Sequence, residues 1–256
     1  MIWKILTLSV IAGLGTGLGG VIAVIRQPGR RMFGLLMGIT AGVMITLSFV
    51  DLVDHALELA GVWTTTIGFA LGALFMLAID MLIPHIRFGE KEFDVFRKRD
   101  VVKDGDGQAA SHKWRWKSKT RITDVKLLKT GLLVALGIAI HNTPEGIAVG
   151  AGYAHTPAFG IFIATAITLH NIPEGIATAL LSGLTEPIGA LLAGLVLTSF
   201  DALIPAALAF AGGVMVFITL DELVPVAREH GHQHYTAIGI ILGAVFVFIL
   251  SGVLGA

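Results

Sequence analysis

Eight apolar stretches, at about 2–25, 32–58, 63–86, 127–153, 157–182, 187–200, 203–227 and 235–255, take up most of the 256 residues. A helix needs ~20 residues to cross the hydrocarbon core of a bilayer. The chain is therefore expected to be all-α and polytopic, with about eight transmembrane helices in one membrane domain over 1–256. A composition of 55% hydrophobic and 14% charged residues belongs to the same class. The first run is too long for the apolar part of a signal peptide and has no clear small-residue cleavage site before Arg26–Arg31, so it is read as a span. The sixth run is short, and Pro205 blurs its boundary with the seventh.

Charge sets the expected orientation. Of the eighteen Lys and Arg, Arg26, Arg30 and Arg31 follow the first span and twelve lie between Arg87 and Lys126. Lys129 opens the fourth span, Arg228 follows the seventh, and only Lys4 falls on the other side. The positive-inside rule then places both termini outside and the 87–126 loop in the cytoplasm. That loop, with its KDGDGQAASHK stretch, reads as a flexible linker. Net charge is zero, which gives no footprint for nucleic acid. There is no cysteine, so any metal must be held by nitrogen and oxygen ligands.

The chain repeats itself. Residues 213–247 align without gaps on 42–76 at a constant offset of 171, with fourteen identities in 35 positions. Glu222-Leu223-Val224 falls on Asp51-Leu52-Val53, and Leu242-Gly243-Ala244 on Leu71-Gly72-Ala73. Spans two and seven are five apart in order and must point in opposite directions. Inverted repeats around a polar site are typical of secondary transporters, and the expected arrangement is three plus two plus three.

The two central spans carry HNTPEGIA at 141–148 and HNIPEGIA at 170–177. Ionisable side chains are costly in hydrocarbon and are read there as functional. On a helix His141 and Glu145 share a face, as do His170 and Glu174, with Asn142 and Asn171 beside them. Two imidazoles, two carboxylates and two amides at similar depth make a site for a divalent cation. Pro144 and Pro173 free carbonyls about one turn earlier, near Ile140 and Leu169, as extra ligands. Glu222 in the seventh span, within DELVP, can reach the cluster as a bridging carboxylate. Asp51, Asp54, His55 and Glu58 form a polar stripe that could gather cations at the outer end. His230, His232 and His234, with Glu229, stand at the cytoplasmic end as a candidate exit. Asp80 and His85 face the same side, whereas His155 reads as a loop residue.

These motifs, the eight spans, the long loop after the third and the DELVP acid resemble the ZIP family of divalent-metal transporters, in particular its prokaryotic GufA-like branch. The resemblance covers essentially the whole chain. It implies transport of zinc, and variously iron, manganese, cobalt or cadmium, into the cytoplasm, with the metal as substrate rather than cofactor. It implies His141, Asn142, Glu145, His170, Asn171 and Glu174 as ligands, Glu222 completing a cluster of up to two ions, and residence in the prokaryotic cytoplasmic membrane. The cytoplasmic loop here is not His-rich, and Asn171 stands where some members carry Asp. The competing reading is an intramembrane metal-dependent hydrolase. Against it, Asn rather than Glu follows each His, so HExxH is absent, and no separate general base remains. Small-residue pairs such as Gly34–Gly38 and Gly68–Gly72 permit helix contacts within the chain or in a homodimer.

Overall fold

The computed structural model describes residues 1–25, 28–82, 141–177 and 185–254. The expected loop at 87–126, the first half of the fourth span and the end of the fifth lie outside them. Among the described residues the regular elements are helices: α1 (Ile2–Ile25), α2 (Arg30–Thr46), α3 (Asp54–Leu82), α4 (141–155), α5 (Pro157–Ala177), α6 (Glu186–Leu197), α7 (Ile204–Ile218), α8 (Val224–His230) and α9 (Gln233–Leu254).

Among the described residues four stretches are long and apolar enough to cross a bilayer: Ile2–Ala23, Arg30–Leu82, Asp201–Glu229 and Gln233–Leu254. The second runs for 53 residues, about 80 Å of helix against a hydrocarbon core of about 30 Å. It is two crossings, because Gly61 breaks the helix with φ 72° and ψ 179°, backbone that essentially only glycine adopts. The sequence expectation of spans at 32–58 and 63–86 has its gap at this glycine. α6 is 12 residues long. α4 and α5 are joined at Thr156, whose Oγ1 accepts the Phe159 N–H at 3.2 Å, and Pro157 sits in the first turn of α5, where a missing N–H costs nothing.

α2 widens into a π turn at Leu47–Val53 before α3, and α7 widens in the same way at Thr219–Leu223 before α8. The repeat offset carries Ser48 onto Thr219 and Met44 onto Met215. Ser48 Oγ donates to the Met44 carbonyl at 2.7 Å, and Thr219 Oγ1 donates to the Met215 carbonyl at 2.7 Å. A hydroxyl bonding back one turn competes with the helical ladder, and π turns gather at functional sites. Asp51 lies in the first widened turn and Glu222 in the second.

Packing obeys the same symmetry. A methyl group on Gly42 would collide with the Ile240 carbonyl oxygen, and one on Gly213 with that of Phe69. Gly72 is equally tight against Phe210, and Gly243 against Ile39. Each contact maps onto its counterpart at the repeat offset, so span two pairs with span eight as span seven pairs with span three. The second set of helices follows suit. Gly175 abuts the Thr16 carbonyl and Gly19 that of Ile172, while Gly146 abuts the Glu186 carbonyl and Gly189 that of Thr143. A pseudo-two-fold therefore exchanges span one with six and span four with five. Side chains such as Met44, Leu47, Phe162, Ile167, Leu208 and Met215 are buried between these helices, while Trp63, Leu71, Ile241, Ile249 and Val253 face outward, as suits a lipid surface.

Candidate metal site

The two motifs face each other, and their acids pair across the helices. His170 Nε2 lies 3.2 Å from Glu145 Oε1, and His141 Nε2 lies 3.6 Å from Glu174 Oε1. The sequence spacing puts each His on one face with the Glu of its own motif. The structure adds that each His reaches the Glu of the other, as a two-fold axis between α4 and α5 demands. One ligand atom each from His141, Glu145 and Glu174 falls within 4.8 Å of the others. Donors on one tetrahedral zinc ion are about 3.3 Å apart, so a small contraction closes the set. Glu222 Oε2 is 3.9 Å from His141 Nδ1, which brings the α7–α8 segment to the same place.

Hydrogen bonding shows what the cluster lacks. His170 Nδ1 is 3.1 Å from the Ala166 carbonyl. A carbonyl only accepts, so Nδ1 carries the hydrogen and Nε2 presents either a lone pair or a second proton to Glu145. A lone pair facing a carboxylate oxygen calls for a proton or a metal cation between them. His141, Asn142, Glu145, His170, Asn171 and Glu174 are all buried. Within this group His141 Nε2, Glu145 Oε2 and Asn171 Oδ1 have no hydrogen-bond donor or acceptor within reach. Leaving such atoms unmet in the interior is costly. The shortage is of positive charge.

Pro173 removes one amide from the α5 ladder, and Thr40 Oγ1 from α2 donates to the His170 carbonyl at 3.3 Å. A carbonyl one turn before Pro173 is thus held by a side chain from a neighbouring span. Ile140, the counterpart of Leu169, lies outside the described residues.

Sequence reasoning missed Glu186. It is fully buried at the start of α6, and its Oε1 accepts from Asn171 Nδ2 at 2.5 Å. The same amide donates to the Ala12 carbonyl at 3.1 Å, turning Asn171 Oδ1 away from both. Glu186 Oε2 has no partner. In sequence, Thr-Glu-Pro reads as an ordinary helix start. The only available signal was the short sixth span, which places its first turn deep in the protein.

The outer candidates form a separate group. Asp51 is buried, Asp54 is exposed, and His55 Nδ1–H donates to the Asp51 carbonyl at 2.9 Å. At the opposite end His232 and His234 are exposed with ring centres 5.7 Å apart, and His232 stands edge-on to Tyr235. His230 closes α8, but its side chain is outside the described ones, as is His85. Gly34 and Gly38 pack on Thr236, and Gly68 and Gly72 on Ala206 and Phe210. These small-residue pairs are therefore used within the chain.

A helical membrane bundle built from inverted repeats, with buried imidazoles and carboxylates short of positive charge, belongs to the class of divalent-cation transporters. Residues 91–251 match the family described as ZIP Zinc transporter. The chain is 37% identical to the zinc transporter ZupT of Nitratidesulfovibrio vulgaris (strain Hildenborough), over 92% of this chain and 91% of that protein. It is also 37% identical to ZupT of Oceanobacillus iheyensis, over 94% of each, and 33% identical to the zinc transporter ZTP29 of Arabidopsis thaliana, over 93% of this chain and 90% of that protein. The chain belongs to the ZIP family, and is a metal transporter rather than an enzyme.

Proposed function

We propose that the chain moves zinc, and with it other divalent ions such as iron, manganese, cobalt or cadmium, into the cytoplasm by alternating access through the site between α4 and α5. The observation that carries this is the crossed pairing of His141 with Glu174 and His170 with Glu145, with acceptor atoms left unmet. One ion is held by His141, Glu145 and Glu174, with Glu222 able to join. Glu145 Oε2, Asn171 Oδ1 and Glu186 Oε2 are the unmatched oxygens on the α6 side and would hold a second. Asn142, buried beside His141, completes the ligand set. Nitrogen and oxygen ligands bind zinc without the hold of thiolates, which permits release.

The ion arrives past Asp51, Asp54 and His55 and leaves past Glu222 toward His230, His232 and His234. An open groove of about 560 Å³ near that end is lined by Leu220, Val224, Pro225, Arg228, Glu229 and Gln233. Whole-chain charge argues for both termini outside, in a prokaryotic cytoplasmic membrane, with residues 1–256 acting as one transport domain. The backbone contacts of α1 on α5 and of α6 on α4 join four helices into one unit, so spans one, four, five and six would shift together against two, three, seven and eight. With Gly34–Gly38 and Gly68–Gly72 occupied internally, a homodimer would have to form on the outward apolar side chains.

Uptake of radioactive zinc by cells stripped of their own zinc importers tests the reading. Expression of the chain should raise uptake, and Glu145→Gln at equal membrane abundance should abolish the rise. Equal uptake by the two proteins would count against this site.

A further inference from the structure

At the turn between α4 and α5, three rings from three separate elements meet. The His55 ring lies nearly parallel to Phe159 with centres 3.9 Å apart, and His155 stands edge-on to Phe159 at 5.9 Å. The centres of the two imidazoles are 5.8 Å apart. Phe159 is buried, so it is a fixed wall for both.

The orientation of His55 is set by its backbone. Its Nδ1–H donates to the Asp51 carbonyl at 2.9 Å, which leaves Nε2 of the neutral ring with a free lone pair. Metal-binding histidines are commonly oriented in this way, by a carbonyl on the other nitrogen. Two imidazoles on one tetrahedral zinc ion, with bonds of about 2.0–2.1 Å, bring their ring centres to about 5–6 Å. The observed spacing is already in that range.

We propose that His55 and His155 together hold one divalent first-row cation at the outer end of the bundle, with water completing its coordination and the exposed Glu58 carboxylate adding negative charge nearby. This deepens the entrance reading of Asp51, Asp54 and His55 by supplying a second imidazole, from a residue whose sequence context marks it only as a loop position. It also gives the ion a structural consequence. His55 belongs to the second crossing and His155 to the α4–α5 turn, so a bound ion ties together the two helix sets. Asp51, one turn deeper and buried with Oδ2 unpartnered, is the next oxygen on the way in.

The test is cobalt(II) titration of protein in detergent, read by visible absorption, in a background carrying His141→Ala and His170→Ala. One binding equivalent with a four-coordinate spectrum should remain. Further change of His55→Ala or His155→Ala should each weaken it by at least ~10-fold, and Glu58→Gln by less. A spectrum that neither His55→Ala nor His155→Ala alters overturns the proposal and leaves the three rings as aromatic packing. Should the doubly substituted background fail to fold, the otherwise unaltered chain serves. There His155→Ala should remove one bound equivalent, and an unchanged count overturns the proposal. Because the readout is binding at equilibrium, absence of zinc flux would contradict the transport reading without touching this one.

Discussion

Glu186 and Asn171 show how one side chain can decide what a neighbour offers. Asn171 directs its amide hydrogens to Ala12 and Glu186, so its carbonyl oxygen is left for a ligand. Glu186→Gln changes an acceptor oxygen to a donor and removes a charge while keeping the shape. Metal bound per chain, measured by elemental analysis after equilibrium dialysis, should fall by one equivalent. An unchanged count would remove Glu186 from the ligand set. His141→Ala and His170→Ala should each reduce zinc flux by more than ~10-fold, and the double variant should be little worse than either, because groups acting as one unit are not additive. Additive losses would indicate two independent sites. The sequence made the motif residues visible because polar groups stand out in apolar runs. It hid Glu186, because an acid and a proline at a helix start have a commonplace explanation. It also hid the partner of each His, since spacing reports neighbours on one helix and not those across a symmetry axis.

Among the elements, glycine positions carry the clearest consequences. Gly72 and Gly243 occupy equivalent contacts on opposite halves, each against a backbone oxygen that cannot move without its helix. Gly72→Ala and Gly243→Ala should therefore destabilise to a similar extent, about 1–3 kcal/mol each, read as loss of the folded peak in heated detergent samples. Unequal losses would show that the two halves are not packed alike. Gly61 differs, since a side chain there meets nothing within 4 Å but φ is 72°. Gly61→Ala should cost about 1–3 kcal/mol through the backbone alone. The repeat was legible because its offset is constant over 35 residues, and the paired π turns fall where that offset puts them. The widening itself was not legible. Ser48 and Thr219 are a similar, not identical, pair, and their back-bonding hydroxyls look like ordinary helix residues until the carbonyl they take is seen.

For the whole molecule, the question is which parts move. Sequence order suggests that spans four and five form the moving centre. The close contacts of α1 on α5 and of α6 on α4 would enlarge that unit to four helices, and a sequence without an alignment has no means of showing such contacts. The chain contains no cysteine, so introduced pairs report cleanly. A disulfide joining α1 to α5 near Gly15 and Thr168 should leave zinc flux intact, whereas one joining α2 to α5 beside Thr40 should stop it until reduced. The reverse pattern would mean that the helices are grouped wrongly. The central claim, that zinc crosses through the paired motifs, is tested most directly in liposomes filled with a zinc-sensitive dye. Wild-type protein should give a zinc-dependent signal that His141→Ala with His170→Ala abolishes while the variant still inserts and elutes as a folded species. A variant that fluxes zinc as well as the wild type, or a well-folded wild type that carries no divalent ion at any pH gradient, would contradict it.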